Sequence, residues 1–351
     1  MCAIVFESAP GALSVHNPLA GFALEEQRLE VRRDPLLGDT SVLNPTLAAK
    51  AGFFGENDRA FIARLVAESA PRCIFCGDAL ASRTARYPEA LVPGGRLAVG
   101  EATLLPNLFA LAPYHPLVVL TRAHFLELDG FTPALLADGF AAARAFLRTV
   151  GARDGAAAHA SLCANYLLPA GASIVHPHLQ MVVSPQPYTH HARVLAACRR
   201  HHERHGTSPL VELADEEQRT GERFVGARGG WRWLAAFAPQ GVNEVVAVHE
   251  TAQDLAALPD DGLHALADGV SRVLGFYGGR GLLCFNYALH SVRTGVEAPG
   301  FRLFFRIVAR QNLSPGYRND DYFLQKLLQS EIIVTPPEEL ARNLRPVFQE
   351  P

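Results

Sequence analysis

The 351-residue chain predicts an α+β fold made of two similarly ordered halves. Three observations carry that reading. Apolar runs of strand length alternate with longer stretches of helical periodicity. The order strand, strand, helix, strand, strand occurs near residues 97–183 and again near 224–309, a duplication of element order rather than of residue identity. The chain is 49% apolar and 19% charged. Its length suits about two domains at roughly 100–200 residues each, with the boundary expected between 1–195 and 196–351.

In chain order, residues 1–50 read as irregular, with a short strand at Glu30–Arg33 running into a turn at Pro35 and Gly38, and a second turn at Asn44-Pro45. Asp58 caps a helix over 57–69 whose apolar face is Phe61, Leu65 and Val66. Arg72-Cys73-Ile74-Phe75-Cys76-Gly77-Asp78 is a knuckle. Strands follow at Leu97–Leu105 and Phe109–Leu120, around a turn at Pro106-Asn107. Thr132-Pro133 opens a helix to Val150 with Leu136, Phe140 and Leu147 on its buried stripe. The segment Asn165–Gln180, NYLLPAGASIVHPHLQ, leads into a strand at Met181–Val183. Residues 190–220, rich in His190, His191, His201, His202 and His205, read as a polar helical connector with a solvated face. The second half repeats the pattern, with strands at Trp231–Phe237 and Glu244–His249, a helix over Asp260–Tyr277, and strands at Leu282–Leu289 and Phe301–Ala309. The tail, 320–348, reads as helix broken at Pro336-Pro337.

Net charge is −3, which gives no electrostatic case for nucleic-acid or membrane-surface binding. No basic segment followed by an apolar core opens the chain, and no apolar run reaches about 18 residues, so a cytoplasmic protein is expected. Six cysteines are sparse for a disulfide scaffold; only Cys73 and Cys76 are close, and C-x-x-C reads as metal or redox.

Two constellations carry chemistry. Cys73, Cys76, His115 and His176 supply the residue types of a tetrahedral Zn²⁺ site. Spacing alone leaves open that they are ordinary buried cysteines and histidines. His178, Gln180, Ser173 and Asn165 form the second. An unprotonated imidazole can attack an activated phosphorus and later leave as a neutral amine. That chemistry needs an acceptor on the other ring nitrogen and donors for the non-bridging oxygens. A main-chain carbonyl such as that of His176 would serve as the acceptor, and Ser173 and Gln180 as donors. A core histidine satisfied by backbone is the alternative.

His176-Pro177-His178-Leu179-Gln180 preceded by Gly171-Ala172-Ser173 resembles the histidine-triad superfamily. Over most of its length the chain resembles the galactose-1-phosphate uridylyltransferase family: Arg32-Arg33-Asp34-Pro35-Leu36-Leu37-Gly38-Asp39, the CIFCGD knuckle and Tyr114-His115 all have counterparts there. The resemblance implies two histidine-triad-like halves, each an antiparallel sheet with a packed helix. It implies structural Zn²⁺ on Cys73, Cys76, His115 and His176, and His178 as nucleophile. Gln180 would hold phosphoryl oxygens, with Asn107, Asn165 and Ser173 at the nucleotide. It also implies a nucleotide-sugar substrate, a phosphorylated acceptor and a homodimer. Leu179 stands where the family usually has glycine, and H-x-H-L-Q is also similar to dinucleoside tetraphosphate phosphorylases. Leu167 replaces another family glycine. The later H-x-H falls on Phe304-Phe305-Arg306, so a second metal site of some members is expected to be absent; Asn319-Asp320 and Gln325 replace the sugar-binding residues. Three activities follow as expectations: nucleotidyl transfer to a phosphorylated acceptor, phosphorolysis of an NDP-sugar or dinucleoside polyphosphate by inorganic phosphate, or nucleotide binding without catalysis.

Overall fold

The computed structural model describes residues 4–48, 56–317 and 319–349. Its strands are β1 Glu7–Asn17, β2 Ala23–Arg33, β3 Thr40–Leu43, β4 Leu97–Val99, β5 Ala102–Pro106, β6 Pro116–Val119, β7 His159–Tyr166 and β8 His178–Ser184. The second half adds β9 Phe224–Arg228, β10 Trp231–Ala235, β11 Val242–His249, β12 Phe285–Val292, β13 Phe304–Ala309 and β14 Ser330–Ile333. Among the described residues, ten strands form one antiparallel sheet in the order β4-β5-β6-β8-β7-β12-β13-β11-β10-β9. The order reads the same from either edge toward the β7–β12 junction. The duplicated element order thus becomes two five-stranded halves joined edge to edge, with Tyr166 opposite Phe285 and His159 opposite Val292.

Period-two alternation gives this sheet two unlike faces. Leu162, Ala164, Leu179, Met181, Val183, Phe285, Tyr287, Leu289, Phe305 and Ile307 point to one of them and are buried. The helices Pro133–Arg153 and Asp260–Gly279 cover that face with Phe140, Phe146, Leu266 and Val270, in one continuous core. Each helix meets the sheet closely at a glycine. A Cβ on Gly139 would lie 2.3 Å from a Leu120 methyl, and one on Gly269 would lie 2.1 Å from the Trp233 ring. The other face carries His178 and Gln180 of β8, Cys163 and Asn165 of β7, and Asn286 of β12; Cys163 is opposite Gln180, and Asn165 opposite Asn286.

Capping residues act as the sequence implies. The Asp58 carboxylate accepts from the Phe61 N–H at 2.9 Å and opens the helix Arg59–Ser69. The Thr132 hydroxyl caps its helix through the Leu135 N–H. Three regions differ from expectation. The N-terminal segment is a long β1–β2 hairpin, and β14 adds to it in parallel through β3, giving the order β1-β2-β3-β14. β1 is exposed along most of its length, and the half-buried positions that alternate along β2 include Glu25 and Gln27, so no alternating apolar pattern marks the hairpin. The tail expected as helix contains β14, because Ile332 and Ile333 pair with Val42 and Leu43. Residues 107–115 are not strand; the chain loops outward with Leu108, Phe109 and Leu111 exposed before β6. Among the described residues, no helix is long and apolar enough to cross a membrane.

Candidate active site

His178 is the first residue of β8, and Pro177 directly precedes it. Its Nδ1 donates to the His176 carbonyl at 2.8 Å. That bond fixes the tautomer and leaves Nε2 with its lone pair and no hydrogen-bond partner among the described residues. Burial holds the ring below the ordinary histidine pKa, with the carbonyl partly opposing. The ring is therefore neutral near pH 7, the form that can attack. Phe75, from the knuckle, packs on it with ring centroids 5.4 Å apart.

His176 turns away from this face. Its Nε2 donates to the Thr121 carbonyl at 2.7 Å, so Nδ1 faces Cys76 Sγ at 3.3 Å and Cys73 Sγ at 3.7 Å. The fourth member of this cluster is His124, not His115. His124 Nδ1 lies 3.3 Å from Cys76 Sγ, and its Nε2 lies 2.8 Å from the Ser69 hydroxyl. That hydroxyl donates to the Leu65 carbonyl, so it accepts from His124 and leaves Nδ1 free. The ligand atoms of Cys73, Cys76, His124 and His176 lie within 4.8 Å of one another. Both imidazoles thus present an unprotonated nitrogen inward and hold the other by a second partner, the pattern of metal-ligating histidines. Burial pushes His176 down to about 4 and, with Cys73 beside it, pushes the Cys76 thiol up to about 11. A cation at the centre would reverse that cost for the thiolates. The donor set fits a metal ion, and its chemistry suits Zn²⁺.

His115 sits elsewhere, beside Gln180. Its Nε2 lies 3.1 Å from Gln180 Oε1, and Asn107 Nδ2 lies 3.5 Å from the same oxygen. The sequence signal for His124 was its place just after β6, three residues past Thr121. Tyr114-His115, just before the same strand, is the position the sequence reading assigned to the cluster instead.

Asn165 is tied across the β7–β12 junction. Its Oδ1 accepts from Asn286 Nδ2 at 2.7 Å, leaving its own NH₂ as a donor. Asn286 in turn donates to the Ala170 carbonyl at 2.9 Å and accepts from Arg310 Nη1 at 2.5 Å. Arg310 is clamped by Asp320 through Nε at 2.8 Å and through Nη2. The second half therefore orients a polar group of the first. Leu167, two residues on, holds φ 66° and ψ 171°, a conformation ordinarily glycine's, and is 1% exposed. Arg310→Met removes the middle of this chain. It should slow a reaction carried out at this site about tenfold and cost about 2–4 kcal/mol, because Asp320 loses its partner inside the fold. Steady-state rates and thermal unfolding check both. Ser173 is exposed, and no hydrogen bond joins it to His178 or Gln180.

At the far end of β12 the histidines expected on a solvated helix are in part buried. His191 is 1% exposed and stacks on His290, with centroids 4.8 Å apart. His190 accepts from Arg306 at 2.9 Å, and Arg306 pairs with Glu244 at 2.5 Å, so a guanidinium occupies the space between them. Gln325 lies farther along this surface and donates to Glu331 at 2.6 Å.

The two five-stranded halves share one strand order, read inward from each edge to the β7–β12 junction. The fold is that of the galactose-1-phosphate uridylyltransferase-like proteins. The chain is similar to an ADP-glucose phosphorylase from Arabidopsis thaliana solved with bound ADP-glucose, at 17% identity and a TM-score of 0.68, covering 90% of this chain and 98% of that one. It is also similar to a uridylyltransferase mutant, at 18% identity and a TM-score of 0.65, covering 91% and 97%. In sequence it is 28% identical over 340 residues to an uncharacterized protein of Archaeoglobus fulgidus, covering 96% of this chain and 98% of that one. No family model matches the chain.

Proposed function

We propose that this protein is a nucleotidyltransferase of the galactose-1-phosphate uridylyltransferase type, moving a nucleoside monophosphate from an NDP-sugar-type donor to a phosphorylated acceptor. The observation that carries the reading is the His178 Nδ1 bond to the His176 carbonyl at 2.8 Å, which leaves Nε2 as the free nucleophilic atom. The Nε2 lone pair attacks the α-phosphorus. The bond from that phosphorus to the bridging oxygen breaks, and the sugar phosphate leaves with the electron pair. The imidazole of the adduct keeps its Nδ1 proton against the His176 carbonyl, which stabilises the positive charge. An acceptor phosphate oxygen then attacks the same phosphorus, and His178 leaves neutral. The NH₂ groups of Gln180 and Asn165 face the non-bridging oxygens in this scheme, and Asn107 and Ser173 line the nucleotide side.

Cys73, Cys76, His124 and His176 would hold zinc. With four protein ligands, such an ion would lend rigidity to the knuckle that packs on His178 rather than take part in the chemistry. The active enzyme is proposed to be a homodimer, which light scattering tests.

Leu179 does not choose between acceptors, since it points into the helix-covered core and is 1% exposed. Likeness to an ADP-glucose phosphorylase makes inorganic phosphate a second acceptor to try. The experiment is intact-protein mass spectrometry after incubation with UDP-, ADP- and GDP-sugars singly. One donor is expected to add the mass of its nucleoside monophosphate. No added mass with any of them, while nucleotide still binds, would support the non-catalytic reading instead. Challenging the isolated adduct with labelled phosphate or with sugar phosphates then separates the acceptors, because only phosphorolysis yields NDP.

A further inference from the structure

We propose that His115 is a positioning residue that fixes which end of the Gln180 amide faces the reacting phosphate. An amide side chain can turn over, presenting either its oxygen or its NH₂, and only the NH₂ helps an anionic phosphoryl group. Here the orientation follows from a chain of backbone contacts. The Leu111 N–H donates to His115 Nδ1 at 3.0 Å, so that nitrogen must carry the lone pair. Neutral imidazole has one proton, which therefore sits on Nε2. Nε2–H faces Gln180 at 3.1 Å and can only donate.

Asn107 makes the same demand. The Phe109 N–H donates to Asn107 Oδ1 at 3.0 Å, which leaves its Nδ2 toward Gln180 and His115. Two donors converge on one end of the Gln180 side chain, and that end must be the oxygen. A turned amide would set three N–H donors against one another. The Gln180 NH₂ is left with no partner among the described residues. The 107–115 loop, held at its base by Asn107 N–H to the His115 carbonyl at 2.8 Å, thus sets a hydrogen-bond donor on the face shared with His178.

The role as an aid to catalysis rests on the nucleotidyl-transfer reading; the amide orientation itself does not. The test therefore has two arms. In wild-type protein labelled with ¹⁵N-histidine, long-range ¹H–¹⁵N spectra are expected to show His115 as the Nε2–H tautomer. The Nδ1–H tautomer would overturn the inference whether or not the protein forms an adduct. The second arm uses substitutions that split the two halves of the ring. In His115→Gln the amide nitrogen reaches the Nε2 position and keeps the donor to Gln180. In His115→Asn the side chain keeps an acceptor for Leu111 but loses that donor. Adduct formation in a single turnover should slow about tenfold or more in His115→Asn and stay within about threefold of wild type in His115→Gln. In a Gln180→Ala background, His115→Asn should cost less than about twofold, since the two act through one contact. Equal losses in both variants, or an undiminished loss in the Gln180→Ala background, would mean that His115 only anchors the loop. Absence of any adduct in wild type refutes the proposed function and leaves the tautomer measurement to decide this point.

Discussion

His178→Ala should leave no nucleotidyl adduct and lower turnover by at least about 10⁴-fold, the scale on which loss of a covalent nucleophile is felt. Neither His176 nor His115 offers a replacement. His176 is 0% exposed and directed at the thiols, and His115 presents a proton, not a lone pair. The fold should survive. His178 packs mainly against Phe75, so truncation leaves a small gap and costs about 1–3 kcal/mol. Circular dichroism and metal content unchanged from wild type would establish that the loss is chemical. Substantial transferase activity in this variant would refute the double displacement, and direct transfer between the two substrates would then have to be considered.

Loss of the zinc proposed at Cys73, Cys76, His124 and His176 should be the largest effect on stability. Cys73 and Phe75 sit in a small apolar cluster with Leu105 and Val119, apart from the main core. The knuckle is short, and little else in this cluster holds it. Cys76→Ala is expected to cost about 3–5 kcal/mol and to lower the unfolding temperature by roughly 5–15 °C. Turnover should fall with it, because the His176 carbonyl that holds His178 belongs to a ligand residue. Elemental analysis separates the two candidates for the fourth ligand. His124→Ala should lose the ion, whereas His115→Ala should retain about one equivalent. The opposite result would place His115 back at the metal.

The separation of His176 from His178 came from the family resemblance and not from the local pattern of residues. Alternation alone would point both imidazoles the same way, but His176 lies before β8 begins and is not bound by that period. Its Nε2 bond to Thr121 and the His178 bond to its carbonyl turn the two rings to different surroundings. The duplicated element order was legible, because the two helices and the strands that face them carry strong apolar periodicity. The β1–β2 hairpin was not, since strands exposed over most of their length need no alternating pattern. Nor were His190 and His191, whose surroundings depend on His290 and on Arg306, the latter 116 positions from His190 in the chain.

By itself, the order of residues determined the two long helices, most strands of the ten-stranded sheet and the C-x-x-C knuckle. Tertiary structure decided which of 14 histidines completes the metal cluster, which way Gln180 faces, and that Leu179 points away from the site. The physical reason is one of range. Periodicity and capping act over a few residues and are written locally. Ligand geometry and amide orientation are set by atoms brought within about 3 Å across strands, and chemically identical side chains on either flank of β6 cannot be told apart until the sheet has placed them.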